Sequence, residues 1–119
     1  MPRYRPEEAI QRAVFAHFAV RGARGVFAFH PANGGYRLPA DAAVLKGLGL
    51  VPGVPDVIAI YQGQCFALEL KAPGGCVSEQ QRAVIAAMEA AGATCGIAEG
   101  LDAALRTLEG WGLLRGSAM

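Results

Sequence analysis

The spacing of apolar residues changes along the chain, from a helical period to short continuous runs. Apolar residues recur every three or four positions from Ile10 to Phe18, and this spacing predicts an amphipathic helix over about residues 7–20. Two runs in the middle, residues 55–60 and 65–70, have the length of strands, and the Gly-containing connection between them predicts a β-hairpin. The chain therefore combines helices with at least one pair of antiparallel strands.

Cap and turn signals divide the rest of the chain. Ser78 followed three residues later by Gln81 is the signature of a capping box, so a helix begins there, and Gly92 ends it. Further elements are a strand over residues 26–29, a short helix over 42–48, a strand over 94–98 and a last helix over 101–108. Because the Ser78 helix is long enough to cross between two strands, those strands should be parallel. The pattern predicts an α/β fold with a mixed central sheet flanked by helices.

The hairpin carries a cluster of charges at its open end. A two-residue turn at Gln62 and Gly63 would place Asp56 directly opposite Glu69, with Cβ atoms roughly 4.5–5.5 Å apart. Lys71 lies two residues beyond Glu69 and therefore on the same face. Like charges at this distance repel, and a bound cation would remove the repulsion, because carboxylate oxygens are the ligands of Mg²⁺. The pattern predicts a cation site formed by two acids beside one ammonium.

The alternative is that these three charges are ordinary strand-end residues with a surface ion pair. The pattern is short, and an arbitrary match to it favours that alternative. Here, however, the rest of the hairpin is apolar on both faces. A strand pair buried on both sides should not carry unpaired acids without a reason, so the functional interpretation is preferred.

Composition and charge set the broad class. The 119 residues suit one small domain, and 53% of them are hydrophobic, enough for a core. No stretch approaches the roughly 20 apolar residues of a membrane span, no secretory signal is recognisable, and three cysteines without metal-ligand spacing argue against a zinc site. Residues 1–50 carry seven basic and three acidic side chains, and residues 51–119 carry four and seven, so the halves have charges of +4 and −3. A basic half is compatible with a phosphate-facing surface, although it is more often only solvated.

These motifs in their order resemble a known family. Pro-Asp, then Glu-x-Lys on the next strand, then a helix bearing Gln, is similar to the PD-(D/E)xK nuclease superfamily, and residues 49–56, 68–71 and 78–81 resemble the VRR-NUC family within it. An Asn-Gly-Gly loop and the Glu-Glu-Ala-Ile-Gln start of the first helix also match, so the resemblance covers about residues 6–113. It implies one restriction-endonuclease-like domain over residues 1–119 that recognises and cleaves DNA of a particular structure.

The resemblance also implies roles for individual residues. Asp56 and Glu69 would hold Mg²⁺ or Mn²⁺, with the backbone carbonyl of Leu70 as a third ligand and Glu7 as a direct or water-mediated one. Such a metal would polarise a phosphoryl oxygen and acidify a water. Lys71 would orient or deprotonate that water, or offset charge in the transition state.

Other candidates carry open alternatives. Gln81 would position the water or a phosphate, or only cap its helix. Glu7 would bind the metal, or would only place a negative charge at the start of its helix. Glu8 is the alternative to Glu7, and Gln11 is a weaker candidate for the same site. His30 is assigned to a loop rather than to catalysis. Weak candidates for DNA contacts are Asn33, Arg37 and Lys46.

The predicted function is that of a metal-dependent, structure-specific DNA endonuclease that resolves four-way Holliday junctions as a homodimer. No organic cofactor and no membrane partner are expected, and the predicted location is the cytoplasm of a bacterial or phage-infected cell. The alternatives are a flap- or end-directed nuclease and a DNA-binding module that keeps the fold without cleavage. Some apolar residues are candidates for a dimer surface, with a core role preferred: Val44, Leu45, Leu48 and Leu50, or those near Trp111 and Leu113.

Overall fold

The computed structural model describes residues 5–32 and 39–116. The elements follow the predicted order: α1 (Pro6–Arg21), β1 (Phe27–Phe29), α2 (Pro39–Gly47), β2 (Val57–Tyr61), β3 (Gln64–Lys71), α3 (Glu79–Ala90), β4 (Thr94–Glu99) and α4 (Leu101–Gly110). None of the helices in the described residues combines the length and the apolar character of a membrane span.

The strands form one mixed sheet in the order β1-β2-β3-β4. β1 pairs with β2 and β2 with β3 in antiparallel fashion, whereas β3 and β4 are parallel. α3 connects the parallel pair, so the predicted crossover and the α/β class are confirmed. α1 and α4 pack on the face that carries Leu68, and α3 lies over the face that carries Glu69.

The β2–β3 hairpin has the predicted register. Val57 lies opposite Leu68, and the pairing continues without a bulge to the turn. The two turn residues, Gln62 and Gly63, have φ values of 51° and 77°, and a type I′ turn requires positive φ at both positions. Because a two-residue turn fixes every opposed pair in the hairpin, it also determines which side chains meet at the open end.

The core lies between the sheet and the α1–α4 layer. Trp111, which follows α4, packs its ring against Phe66 with centroids 5.5 Å apart. Gly96 makes room for that indole, since a Cβ there would lie 3.1 Å from it. The largest fully buried side chains are Val14, Pro55, Val57, Leu68, Leu70, Leu108 and Leu113. Burial of these side chains is the main stabilising contribution to the fold.

Two predictions about burial were wrong. The hairpin is not buried on both faces along its length, because Ile60 near the turn is 48% exposed. α2 leaves Val44 and Leu48 exposed by 63% and 78%, where a core role was preferred. The physical reason differs for the two. α3 packs against β4 and reaches β3 through Gln81, and it does not cover Ile60 at the turn end of the hairpin, whereas α2 makes no extensive contact with another helix or strand of the described residues.

Gly53 adopts a conformation that alanine would disturb. Its φ is +88°, and a Cβ there would lie 3.2 Å from Cγ of Gln80 at the start of α3. We expect Gly53→Ala to lower the free energy of unfolding by about 1–3 kcal/mol, because it adds backbone strain and a close contact. Gly49→Ala is the matched control, since Gly49 has a φ of +99° and open space around it. Urea denaturation of both variants measures the difference, and equal losses would show that the contact with Gln80 contributes nothing.

Candidate active site

Asp56 and Glu69 meet at the open end of the β2–β3 hairpin. The hairpin register, carried one residue beyond Val57, places Asp56 opposite Glu69 as the sequence predicts. Oδ2 of Asp56 accepts a hydrogen bond from the backbone N–H of Leu70 at 3.1 Å. Glu69 is only 2% exposed, whereas Asp56 is half-buried and lines an open cleft. The pair therefore consists of one buried carboxylate and one that is accessible from the cleft.

Burial and a like charge change the acidity of Glu69. Burial raises its pKa, the neighbouring carboxylate of Asp56 raises it further, and the ammonium of Lys71 lowers it, so that the pKa rises from 4.5 to about 7. The folded chain thus resists having both carboxylates ionised at once. A bound cation would relieve this repulsion, so the donor chemistry of the pair fits a divalent metal.

Lys71 is the ammonium of this cluster. Its Nζ lies 3.4 Å from Oε2 of Glu69, and its side chain is 11% exposed. The backbone carbonyl of Lys71 accepts a hydrogen bond from the N–H of Gly100 at 2.9 Å, which ties the end of β3 to the start of α4. Strand alternation thus places Lys71 and Glu69 on one face, as predicted.

Gln81 is bonded to its own helix and to the acid pair at once. Its Oε1 accepts the N–H of Ser78 at 2.9 Å, and Oγ of Ser78 accepts the N–H of Gln81 at 3.1 Å, which confirms the predicted capping box. Its Nε2 donates to Oε2 of Glu69 at 2.7 Å. Gln81 therefore caps its helix and also reaches Glu69 with its amide nitrogen, so capping is not its one contact; a role in positioning water or phosphate stays a prediction.

Of the two acids at the start of α1, Glu7 faces the site. Its Oε2 accepts a hydrogen bond from the N–H of Ala72, the residue after β3, at 3.4 Å. Glu8 instead lies between two arginines, with its carboxylate 3.8 Å from Arg5 and 3.5 Å from Arg12. The geometry therefore favours Glu7 over Glu8 as the acid nearer to the hairpin end.

The carbonyl of Leu70 faces the side of β3 on which β2 lies. In a strand, the N–H and C=O of one residue face the same neighbouring strand. The N–H of Leu70 donates to Asp56, so its carbonyl faces that side as well. β2 begins only at Val57, and Pro55 before the acid has no N–H to donate. The Leu70 oxygen thus lies on the β2 side of β3, and its role as a third ligand stays a prediction of the family resemblance.

An open cleft of about 960 Å³ adjoins Asp56 and lies between α1 and the segment after β1. Gln11, the weaker candidate, lines this cleft. Lys46 is exposed on α2, and Asn33 and Arg37 lie outside the described residues. The residues that line the cleft are Arg5, Pro6, Glu7, Glu8, Gln11, Arg12, Phe15, His30, Ala32, Asp56 and Ala72.

His30 was not predicted as a partner of the acid pair. Its Nδ1 lies 2.7 Å from the backbone carbonyl oxygen of Asp56. The two residues are 26 positions apart in the sequence, and only the pairing of β1 with β2 brings them together. The position of a histidine directly after a predicted strand was the one available signal.

This chain is similar to a known protein in its fold and not in its sequence. No family model matches the sequence, and no curated protein matches it. A solved structure named "VRR_NUC domain protein" superposes with a TM-score of 0.69, over 92% of this chain and 90% of that chain, at 18% sequence identity. The chain has the VRR_NUC fold. The fold expected from the Pro-Asp, Glu-x-Lys and capping-box motifs is thereby confirmed.

The donor set that the VRR_NUC fold presents here is small. Among residues 5–32 and 39–116, no group of three or more His, Cys, Asp or Glu side chains is arranged as a metal centre. Asp56, Glu69 and the carbonyl of Leu70 offer oxygen donors only. Mg²⁺ commonly binds through one or two carboxylates and completes its coordination with waters and substrate phosphate, so these three residues fit such an ion.

Proposed function

We propose that this protein is a metal-dependent endonuclease that hydrolyses phosphodiester bonds in branched DNA. The observation that carries the proposal is the opposition of Asp56 and Glu69 beside the buried ammonium of Lys71, on a VRR_NUC fold. A structural hairpin has no need of two facing acids, and the pKa of Glu69 is raised first by burial and then by the neighbouring carboxylate of Asp56, so ionising both acids is unfavourable. A divalent cation bound by the two carboxylates would offset their repulsion.

The chain's own groups divide the work of hydrolysis. Asp56, Glu69 and the carbonyl of Leu70 would hold a divalent cation, which would supply Lewis-acid polarisation of a phosphoryl oxygen. Lys71 orients the attacking water and places a positive charge where negative charge grows on the phosphate. Gln81, through its 2.7 Å hydrogen bond, holds the Glu69 carboxylate in one orientation.

The cleft beside Asp56 supports a nucleic-acid substrate. Arg5 and Arg12 stand at its edge with side chains that are 70% and 80% exposed, within reach of a phosphate backbone. Both share Glu8 as a partner, so their net charge is reduced and tight binding requires contacts from more than one place. A substrate held by two subunits meets that requirement.

The uncovered end of the sheet supports a homodimer. Phe27 and Phe29 on β1 are 63% and 37% exposed, and their rings lie 5.8 Å apart. Ile60 lies opposite Phe27 and is also exposed. A second copy of the chain on this face would bury these side chains and provide two sites, which paired cuts in a four-way junction require.

A panel of DNA structures tests the proposal. Labelled four-way junction, flap and plain duplex are incubated with the protein in Mg²⁺, in Mn²⁺ and in EDTA. We expect paired cuts in the junction that need the metal. Cutting of the flap alone would favour the flap- or end-directed nuclease. Binding of the junction without cutting in either metal would contradict the nuclease assignment and favour the DNA-binding module.

A further inference from the structure

His30 follows β1 directly and contacts the backbone of a proposed metal ligand. Its Nδ1 is 2.7 Å from the carbonyl oxygen of Asp56. A carbonyl oxygen can only accept, so Nδ1 must carry the hydrogen and donate it. The hydrogen bond therefore fixes the tautomer of the imidazole, and it anchors the peptide that links Asp56 to β2.

The β-ladder does not supply this anchor by itself. The β1–β2 register pairs Phe29 with Ile58, and carried two residues further it sets Pro31 opposite Asp56. A proline has no N–H, so the main chain of β1 cannot donate to Asp56 at that point. The imidazole of the preceding residue supplies the missing donor. Asp56 is thus held twice, at its carbonyl by His30 and at Oδ2 by the N–H of Leu70.

We propose that His30 is a positioning residue, which holds Asp56 in the orientation that binds the divalent cation. This inference rests on the proposed function, since it assumes that Asp56 is a metal ligand. It assigns the role to the Nδ1 side of the ring. His30 also lines the cleft, so the opposite assignment, in which Nε2 contacts the substrate, is the alternative that the experiment must separate.

Three substitutions separate the two sides of the ring. The side-chain amide of asparagine places an N–H near the position of Nδ1, and that of glutamine places one near Nε2. Because loss of a group that orients a metal ligand typically costs about 10–100-fold in affinity, we expect His30→Ala and His30→Gln to weaken Mn²⁺ binding by about tenfold or more, and His30→Asn to stay within about threefold of wild type. Isothermal titration of the full chain with Mn²⁺ alone gives the affinities without any need for cleavage.

His17→Ala is the matched control, because His17 is the chain's other histidine and accepts a hydrogen bond from Nε of Arg21 at the far end of α1. It should leave Mn²⁺ affinity unchanged. Thermal unfolding of each variant identifies any loss that comes from misfolding, and His30→Asn keeps the inference testable if His30→Ala is unstable.

Equal Mn²⁺ affinity in wild type and His30→Ala would overturn the inference. Retention of affinity by His30→Gln with loss in His30→Asn would overturn it too, in favour of a contact through Nε2. If wild type cleaves DNA while Mn²⁺ affinity does not depend on His30, the inference fails and the nuclease stands. If wild type neither binds Mn²⁺ nor cleaves, the proposed function fails, and the inference fails with it.

Discussion

Replacing Lys71 by methionine should remove most DNA cleavage and leave DNA binding nearly intact. Methionine keeps much of the buried stem but lacks the ammonium that lies 3.4 Å from Oε2 of Glu69. Groups that stabilise charge or transfer protons in a transition state typically contribute 10²–10⁴-fold, so we expect the cleavage rate to fall by at least about 100-fold. Initial rates on a labelled four-way junction in Mg²⁺ measure the loss, and gel shifts in Ca²⁺ measure binding.

An exposed basic residue outside the site offers a control for this variant. Arg106 is exposed on α4 and has no place in the proposed site. Arg106→Met removes the same charge from the protein without touching the acid pair, so its cleavage rate should stay close to wild type. Comparable losses in the two variants would mean that net charge, rather than the position of Lys71, controls the reaction.

Replacing Glu69 by glutamine should abolish cleavage and at the same time stabilise the metal-free protein above pH 7. The pKa of Glu69 is about 7 in the folded chain, against an ordinary value of 4.5. A raised carboxyl pKa contributes stability that is fully present below pH 4.5 and is lost as the pH rises through 7. Glutamine does not titrate and keeps an oxygen that can accept the hydrogen bond from Gln81.

Urea denaturation in EDTA at pH 5 and pH 8 tests this sign. The unfolding free energy of Glu69→Gln minus that of wild type should be larger at pH 8 than at pH 5, by on the order of 1–3 kcal/mol. Each unit of pKa shift corresponds to about 1.4 kcal/mol. Glu89→Gln, at an exposed position on α3, should show no such gain. A stability difference between Glu69→Gln and wild type that is the same at pH 5 and pH 8 would contradict the burial argument.

The sheet and the centre of the site were predictable because local rules decide them. Gln62 and Gly63 specify a two-residue turn, and that turn alone determines that Asp56 lies beside Glu69. Ser78 and Gln81 specify the start of α3 through a capping box that depends on four consecutive residues. Signals of this kind do not depend on the rest of the fold, so they hold without knowledge of it.

The burial of the apolar residues was harder to predict. Ile60, Val44 and Leu48 are as apolar as core residues, yet they are exposed. The burial of Ile60 depends on where α3 crosses the sheet, and that of Val44 and Leu48 depends on whether another element packs against α2. The hydrophobic pattern along the chain determines neither. Hydrophobicity alone therefore does not distinguish the apolar residues that are buried from those that are exposed.

Long-range polar contacts could also not be predicted from the sequence. The bonds from His30 to Asp56 and from Gln81 to Glu69 join residues whose separation along the chain has no regular period. Each arises because two elements are placed side by side by packing elsewhere. The capping role of Gln81 was readable from four residues, whereas its second hydrogen bond needed the whole sheet.

The double use of Gln81 has an evolutionary consequence. A capping box accepts glutamate or glutamine at this position, because either side chain offers an oxygen to the N–H of Ser78. Glutamate, however, has no N–H to offer Glu69, and it would add a third negative charge where two already disfavour each other. Gln81→Glu, which needs a single-nucleotide change, is therefore neutral for the helix but unfavourable for the acid pair. Descendants of this chain that keep the pair should keep the amide at position 81.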